Sequence, residues 1–470
     1  MTTSAVHPYD LEPAFVSRRT YQSRRRRRLV DIPALLALLV ILTFVLPTPL
    51  VVPQLTGVGR PALMIGLFLT ALWVLAKVHP TLGTRGPQPM RWAVMFFFIS
   101  FLLSYAAAYL RGLAPLEANS IDTTLIAISI FLGIILVTAD FVPNRGRLDG
   151  LLRVVVLGGA FMALVGHLET LLGRPLTGYI KLPGLVLHTD LEGLEARGAG
   201  FFRVASTATH YIEFSTVMAM VLPFAIHTVR FARTRVARQN ALIATVLIAA
   251  AIPIALSRTG ILALVVGMAA MVPAWTWRMR FNLGVLGFGL IAAMMVVKPG
   301  LLGTIRSMFE DLSGDPSIQG RTDDYDIVSQ YIAERPFLGR GIGTFIPKLY
   351  LILDNQWLQQ MIGGGVVGVA ALAGLHLTAI VLCVVAIRRT SSIEDRHLCA
   401  CLIAVQLIAL VAHGTFDTFA FSTFTTMLAV FTGMAGAIWR LTHPSRQIRS
   451  VGRDLTPPGD ESPEAVAATP

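Results

Sequence analysis

Twelve apolar segments, each about long enough to cross a membrane, constrain this chain more than any other feature. A bilayer core about 30 Å thick is crossed by roughly 20 apolar residues in a helix. The segments lie at approximately 30–48, 59–78, 91–110, 121–141, 151–172, 207–229, 240–256, 259–276, 281–298, 362–387, 397–414 and 419–440. We therefore predict an all-α polytopic membrane protein with about twelve transmembrane helices.

The composition excludes several other classes of protein. Of the 470 residues, 54% are hydrophobic and 14% are charged, whereas soluble domains carry about a quarter charged residues. Cys383, Cys399 and Cys401 all lie in apolar segments, so no disulfide framework is expected. The net charge of +12 is spread between the apolar segments, so we predict no nucleic-acid partner.

The basic residues predict an orientation. With the N-terminus inside, 26 of the 39 basic residues fall on the cytoplasmic side, as expected because cytoplasmic loops carry an excess of Lys and Arg. Both termini are then cytoplasmic. The chain divides into a basic N-terminal segment at 1–29, a polytopic domain at 30–441 and a tail at 442–470, whose Pro, Glu, Ala and Ser content predicts disorder.

Two long external loops interrupt the pattern of spans, at about 173–206 and 299–361. Loops of this length are uncommon unless they are functional or disordered. The second contains apolar residues at helical spacing, from Ile327 to Ile332, and Pro336 follows them. Thr322 is the expected N-cap. The second loop is therefore predicted to be partly helical.

Ionisable residues gather near one membrane boundary. Charged side chains at the bilayer centre cost about 2.5–3.5 kcal/mol on insertion scales, so their distribution is informative. The residues near the outer ends of spans, or in the adjoining external loops, are Glu169, Arg203, His210, Glu213, Arg258, Arg321, Asp354, His413 and Asp417. This distribution predicts a site at the outer membrane–water boundary. His376 and Gln406 lie deeper and are interpreted as helix–helix contacts.

Two local patterns present arginine at this boundary. Arg203 precedes His210 and Glu213, which share one helix face. An arginine fork suits phosphate oxygens, although a snorkelling arginine is the alternative. The turn containing Arg258, flanked by Ser257 and Thr259, places a charge between two apolar helices. It either binds an anion or anchors the turn at the interface.

A third pattern begins at Arg321 and continues through three acids at 323, 324 and 326 to a glycine-rich stretch at 336–343. Two of them, Asp324 and Asp326, resemble the metal-binding acid pair of a nucleotide-sugar transferase. A first helical turn favours acids through the helix dipole, which is the simpler explanation, and no metal site is predicted. The glycines at 339, 341 and 343 permit a tight turn.

The fourth pattern is Asp354 and Asn355 with Trp357, followed by glycines at 363–365 and 368. Asp354 is either a general base or an N-cap for the helix that follows. The glycines permit close backbone packing or the approach of a lipid-linked ligand.

These motifs, in this order, resemble the O-antigen ligase and polymerase superfamily of bacterial membrane glycosyltransferases. The resemblance covers roughly residues 90–440. It rests on Arg203, the 257–260 turn, Arg321 with the 336–345 stretch, and Asp354-Asn355 before the Gly365–Gly368 segment. Ligases of this family usually begin the last motif with histidine, whereas this chain has Asp354, which favours a polymerase or a divergent ligase.

The resemblance implies a GT-C-like fold in the bacterial plasma membrane, with an active face that is periplasmic or extracellular. A glycan would move from a polyprenyl-pyrophosphate carrier to an acceptor hydroxyl, without a metal or cofactor. Membrane lipids, a glycan or lipid acceptor and other envelope-polysaccharide assembly proteins are the implied partners.

The candidate residues fit defined roles in such a reaction. Arg203, Arg258 and Arg321 would bind the pyrophosphate and stabilise its developing charge. Asp354 would accept the acceptor's proton, and His210 and Glu213 are further catalytic candidates. Those for binding the glycan or acceptor are Asn355, Trp357, His413 and Asp417.

Two alternatives belong to other functional classes. A transporter or lipid-linked glycan flippase would also have about twelve spans, but its charges should line a central cavity. A non-catalytic assembly protein would tolerate substitution of Arg203 and Asp354. The gathering of charges at one face favours the transferase.

Overall fold

The structure is a computed structural model that describes residues 31–444, except residue 56 and the segments 79–85, 189–194, 197–201, 298–299, 301–302 and 307–315. The backbone alone is described for 195–196, 297 and 316–324. The predicted cytoplasmic segment at 1–29 and most of the predicted tail at 442–470 therefore lie outside the described residues.

Helices make up nearly all of the described chain. They are α1 (Ile32–Val45), α2 (Pro61–Val78), α3 (Pro89–Arg111), α4 (Pro115–Phe141), α5 (Arg145–Leu172), α6 (Tyr211–Arg230), α7 (Arg235–Ile254), α8 (Arg258–Met271), α9 (Trp277–Val297), α10 (Pro316–Glu334), α11 (Gln356–Arg389), α12 (Ile393–Ala412) and α13 (Ser422–Leu441). Two-residue strands pair antiparallel, β1 (Leu50–Val51) with β2 (Val186–Leu187) and β3 (Glu195–Ala196) with β4 (Phe202–Arg203). The all-α polytopic prediction is confirmed.

Each predicted span corresponds to a helix. Ten of these helices are long and apolar enough to cross a membrane, whereas α1 and α8 are shorter apolar helices. Helix α10 is the helical part of the second loop. It begins at Pro316, so the prediction of an N-cap at Thr322 was wrong, and proline is itself favoured in the first turn of a helix.

Local sequence defines many of the helix starts. Proline is the first residue of α2, α3 and α4, where its missing N–H costs nothing. Side chains cap α5, α7, α8, α11 and α12, from Asn144, Thr234, Ser257, Asn355 and Ser392 respectively. Helix α11 therefore starts at Gln356 rather than near residue 362, because Asn355 supplies a cap there.

Burial separates central from peripheral helices. Helices α6 and α13 are buried along most of their length, whereas α9 is exposed along its length although it is strongly apolar. Phe281 and Phe288 of α9 are 65% and 76% exposed. Exposed apolar surface of this kind is expected of a helix in contact with lipid.

The bundle has two chemically different ends. One carries the described parts of the connections at 173–210 and 298–355, together with the connection at 413–421, and we call it the loop end. The other carries the short connections at 142–144, 231–234 and 390–392, and we call it the basic end.

Ion pairs join the helices at the basic end. Asp140 of α4 lies 2.8 Å from Arg91 of α3 and 3.1 Å from Lys77 of α2. Arg145 of α5 lies 2.5 Å from Asp395 of α12, and both side chains are buried. Several arginines that indicate orientation in the sequence thus also hold helix ends together.

A buried cluster of His227, His397, Cys401 and Trp275 lies near the basic end. The sulfur and the two imidazoles are close enough to share a metal ion. However, the Trp275 indole N–H, which can only donate, donates to His397 Nε2 at 3.2 Å. A neutral His397 then carries its proton on Nδ1, which faces His227 Nδ1 at 3.0 Å. Hydrogen bonding therefore accounts for the cluster.

The backbone hydrogen bonding of helix α11 is interrupted at Gly365, where a φ of 61° departs from the helical conformation. The segment 336–341 of the preceding loop packs against this interruption. Its hydrogen bonds to α11 join Val366 N to Pro336 O, Val367 N to Phe337 O, Arg340 N to Ile362 O and Gly341 N to Gly363 O, at 2.8–3.2 Å. In a regular helix Val366 and Val367 would donate to Ile362 and Gly363. The carbonyl groups of Pro336 and Phe337 replace these two acceptors.

Glycine makes this close contact possible. Gly339 has a φ of 68°, and a Cβ there would lie 2.2 Å from the carbonyl oxygen of Gly363. A Cβ at Gly365 would lie 2.3 Å from the carbonyl oxygen of Phe337. The glycines of both motifs therefore permit backbone-to-backbone packing, one of the two roles expected for the glycines of α11.

We expect Gly339→Ala to destabilise the protein strongly. The added methyl group meets the α11 backbone, and overpacking of this kind costs about 1–3 kcal/mol beyond the strain of a left-handed alanine. The unfolding temperature and the monodisperse yield in detergent measure the effect. Gly374→Ala is the control, since Gly374 of α11 has open space around it. Equal unfolding temperatures for the two variants would contradict the packing account.

Candidate active site

Arg203 and His210 share an aromatic patch at the loop end. The Arg203 guanidinium lies 4.3 Å from the ring centroid of Tyr211 and donates to its hydroxyl. The His210 ring lies 4.0 Å from the Tyr211 ring and 5.9 Å from that of Phe421. His210 Nδ1 also accepts the N–H of Ile212 at 3.2 Å and so caps α6. The structure thus places these two predicted site residues together.

Glu213 is fully buried, and the backbone uses its carboxylate. Oε1 accepts the N–H groups of Thr423 and Phe424 at 2.8 and 3.1 Å, and Oε2 accepts that of Thr209 at 2.9 Å. These bonds tie the start of α6 to the start of α13. The geometry favours an anchoring role for Glu213 over the catalytic role that the sequence suggests.

Glu169 anchors the first long loop in the same way. Its oxygens accept the N–H groups of Leu176 at 2.8 Å and of Ser206 at 3.1 Å. Ser206 has a φ of 55°, a conformation uncommon outside glycine, and its hydroxyl donates to Met162 O at 2.7 Å. Glu169 therefore holds the loop a few residues from Arg203.

Arg258 begins α8 beside the start of α6. The Ser257 hydroxyl accepts the N–H of Gly260 at 3.2 Å and caps the helix. Gly260 packs so closely on Ser215 of α6 that a Cβ would lie 2.4 Å from its side chain. The half-buried Arg258 is thereby held near the α6 terminus that carries His210.

Asp354 and Asn355 lie where the second loop returns to the bundle. Asn355 Oδ1 accepts the N–H of Leu358 at 3.2 Å, so Asn355 is the N-cap of α11. The capping role considered for Asp354 is therefore filled by its neighbour. Asp354 is half-buried directly before this cap.

The connection 413–421 packs against this start of α11. Gln356 N–H donates to His413 O at 2.7 Å, and Gln356 Oε1 accepts the N–H of Phe419 at 2.9 Å. The Trp357 indole donates to Leu410 O at 3.1 Å, and its ring lies edge-on to His413. Trp357 is therefore fixed by the bundle before any ligand arrives.

His413 is completely buried. Its Nδ1 lies 2.6 Å from the Thr418 hydroxyl and its Nε2 lies 2.9 Å from His376 Nε2. His376 Nδ1 in turn lies 2.7 Å from Gln406 Oε1, in the helix–helix contact that the sequence suggested for these two residues. With both ring nitrogens engaged inside the bundle, His413 is better placed to position its connection than to bind a glycan.

Asp417 and Asp354 form a pair of interacting carboxyl groups. Burial, and after it the charge of Asp354, raise the pKa of Asp417 to about 7. A carboxyl group with such a pKa is partly protonated at neutral pH, which suits proton transfer. The structure thus gives Asp417 acid–base properties in addition to its predicted binding role.

The side chain of Arg321 lies outside the described residues, so its position relative to the other arginines stays a prediction. Its backbone belongs to α10, which packs on α11 through a small apolar cluster of Val328, Phe345, Leu353 and Ile362. The second loop is therefore folded onto the bundle, which is consistent with its predicted helical character.

A buried polar cluster that the sequence analysis missed supports the same loop. Arg340 lies 4.5 Å from the ring centroid of Tyr331 and donates to the Tyr350 hydroxyl at 2.8 Å. Tyr350 donates to Glu117 at 2.8 Å, and Arg111 pairs with Glu117 at 3.0 Å. Burial and the Glu117 hydrogen bond raise the pKa of Tyr350.

The sequence marked two members of this cluster separately but not their pairing. Arg340 lies in the glycine-rich stretch at 336–345. Glu117 lies in the first turn of α4 and accepts the N–H of Ala114 at 3.1 Å, a position where acids are common. Its long-range partners, Arg340 and Tyr350, are more than 200 residues away. Residue spacing along the chain therefore could not reveal the pairing.

Packing joins the two halves of the site. Phe421, which contacts His210, lies 5.3 Å from Phe416 by ring centroids. The Phe416 carbonyl accepts the N–H of Gln356 at 3.2 Å. Arg203 and His210 are thus connected through the 413–421 segment to the turn that carries Asp354.

Residues 243–373 match the family described as O-antigen ligase. The match runs from α7 into α11 and includes Arg258, Arg321 and Asp354. It confirms the resemblance to the O-antigen ligase and polymerase superfamily and implies a glycosyltransferase-like membrane enzyme that acts on lipid-linked glycans. No curated protein matches the chain significantly.

We expect the pKa of Asp417 to make stability depend on pH. The folded state binds the proton more tightly than the unfolded state, so stability falls as pH rises from about 4 to about 7. Unfolding temperatures of the wild type and of Asp417→Asn, measured between about pH 5 and pH 7.5, report this contribution. The variant is expected to lose less stability over this range. Identical pH profiles would contradict the assignment.

Proposed function

We propose that this protein transfers a glycan from a polyprenyl-pyrophosphate carrier to an acceptor hydroxyl at the outer face of the bacterial plasma membrane. The match of residues 243–373 to the O-antigen ligase family carries this proposal. Support comes from the loop end, where Arg203, Arg258 and Asp354 lie on segments that pack against one another.

The proposed reaction needs one general base and positive charges that stabilise the leaving group. The acceptor oxygen attacks the anomeric carbon of the donor glycan, and the bond from that carbon to the phosphate oxygen breaks. Asp354 accepts the hydroxyl proton, and polyprenyl pyrophosphate leaves. Arg203, Arg258 and Arg321 would stabilise the charge on the leaving group, so we propose a metal-independent reaction and a GT-C-like arrangement.

Asp417 extends this scheme. Asp417 interacts electrostatically with Asp354, and its pKa is raised to about 7, so Asp417 would serve as a second acid or base near the reacting hydroxyl. Asn355 and Trp357 would contact the glycan or the acceptor beside this pair. His210 would act as a further acid or base from the Arg203 side.

We expect Asp354→Asn to lower transfer by about 100-fold or more, since a general base contributes about 10²–10⁴ to the rate. The substitution is introduced at the native locus, and protein levels are checked. Mass spectrometry then sizes the polyprenyl-linked glycans alongside the surface polymer. Single repeat units accumulating on lipid identify a polymerase, whereas full-length polymer stranded on lipid identifies a ligase.

Matched controls separate the site from general damage. Asp326→Asn changes an exposed acid on α10 of the same loop, and wild-type glycans are expected. Arg203→Ala should reproduce the Asp354→Asn defect, whereas Arg238→Ala, at an exposed position on α7, should not. Wild-type lipid-linked glycans and surface polymer in both site variants would refute the transferase and favour a transporter.

A further inference from the structure

A small pocket at the loop end contains a cation that the proposed reaction does not use. The pocket occupies about 300 Å³, including the space at its mouth, and lies between the end of α1 and the starts of α2 and α13. Its polar lining comes from Arg60 and from the hydroxyl groups of Thr43, Thr48, Ser422, Thr423 and Thr426. The remaining lining is apolar.

Arg60 forms no ion pair within hydrogen-bonding distance among the described residues. Its Nε is buried without a hydrogen bond, and no described residue forms an ion pair with its guanidinium. Glu213 is the acid that interacts with Arg60 electrostatically, but both oxygens of that carboxylate already accept backbone N–H groups. A half-buried arginine in this state is expected to attract an anion, since buried charges are normally paired.

Most of the hydroxyl groups donate within the protein. Thr43 donates to Leu39 O at 2.8 Å and Thr48 donates to Thr207 O at 3.0 Å, so Thr423 donates to Thr48 at 2.9 Å and joins α13 to the α1 end. Ser422 and Thr426 line the pocket from the same side of α13. An arginine fork matches phosphate oxygens in pairs, and the hydroxyls of Ser422 and Thr426 can donate to those that remain.

The depth of the pocket indicates what carries the phosphate. Its walls are the ends of apolar helices, which is the level at which a spanning helix meets the lipid headgroups. On α1 and α2, Ile41 and Met64 are 43% and 42% exposed. An occupant seated at Arg60 could therefore lay apolar chains along these helices, which a free anion could not do.

We propose that the Arg60 pocket binds the phosphate group of a lipid. The site uses Arg60 rather than Arg203, Arg258 or Arg321. It adjoins the Arg203–His210 patch, because Thr48 of its lining donates to Thr207 O at 3.0 Å, and its lipid binding can be measured without glycosyl transfer. A bilayer phospholipid and a polyprenyl phosphate present the same chemistry to Arg60, and experiment distinguishes them.

The test is a binding titration of the purified full-length protein in detergent. Phosphatidylglycerol, a polyprenyl monophosphate and inorganic phosphate are added separately, and native mass spectrometry counts the bound molecules. We expect saturable lipid binding that Arg60→Gln weakens by about tenfold or more, as for a charge-assisted hydrogen bond. Arg60→Lys, which keeps the charge, is expected to retain most of the affinity. Arg238→Gln is the control at an exposed arginine on α7.

The binding results distinguish a bilayer phospholipid, a polyprenyl phosphate and free inorganic phosphate as the ligand. Preference for phosphatidylglycerol or for polyprenyl phosphate, lost in Arg60→Gln, supports the proposal and names the lipid. Inorganic phosphate binding as tightly as either lipid overturns the lipid assignment, and equal lipid binding by wild type and Arg60→Gln overturns the site. If Arg60→Gln does not fold, the double variant Ser422→Ala with Thr426→Val gives the same decision, with a loss of several-fold expected.

Discussion

Hydrogen bonds that a helix gives up inside a membrane have to be replaced by the protein, because lipid offers no donors or acceptors. Helix α11 lacks two helical hydrogen bonds at Gly365, and the segment 336–341 forms four backbone hydrogen bonds with it. Only glycine permits the approach at Gly339 and Gly365. This contact fixes where the second loop meets α11, and so it also limits where Asp354 can lie.

Buried carboxylates also hold the loops and helix ends in place. Glu169 holds the first long loop, Glu213 joins α6 to α13, and Glu117 binds Arg111 and Tyr350. Each accepts backbone N–H groups or pairs with a cation, which repays part of the cost of burying its charge. The acidic residues at the loop end therefore have different roles. Glu169 and Glu117 support loops and Glu213 joins two helices, whereas Asp417 interacts electrostatically with Asp354, which helps to raise the pKa of Asp417.

Arginine has contrasting roles at the two ends of the bundle. At the basic end Arg91 pairs with Asp140 and Arg145 pairs with Asp395, and these ion pairs hold the helices together. At the loop end Arg111 and Arg340 also pair with an acid, Glu117, whereas Arg203 lies on Tyr211 and Arg60 lines a pocket between α1, α2 and α13. Arg60, whose buried Nε makes no hydrogen bond, suits a ligand that brings its own negative charge.

The sequence by itself determined the class of protein, the number and approximate position of the apolar helices, and the motifs that resemble O-antigen ligases. These depend on composition and on short-range spacing, which the chain displays directly. The tertiary structure decided what the motif residues touch. Glu213 and His413 have the residue types of a catalytic site, but their carboxylate and imidazole are engaged by α13, Thr418 and His376. Arg60 carried no distinguishing signal, and the glycine-rich stretch that contains Arg340 did not single that arginine out. Their surroundings come from helices far apart in the chain, and only packing brings such partners together.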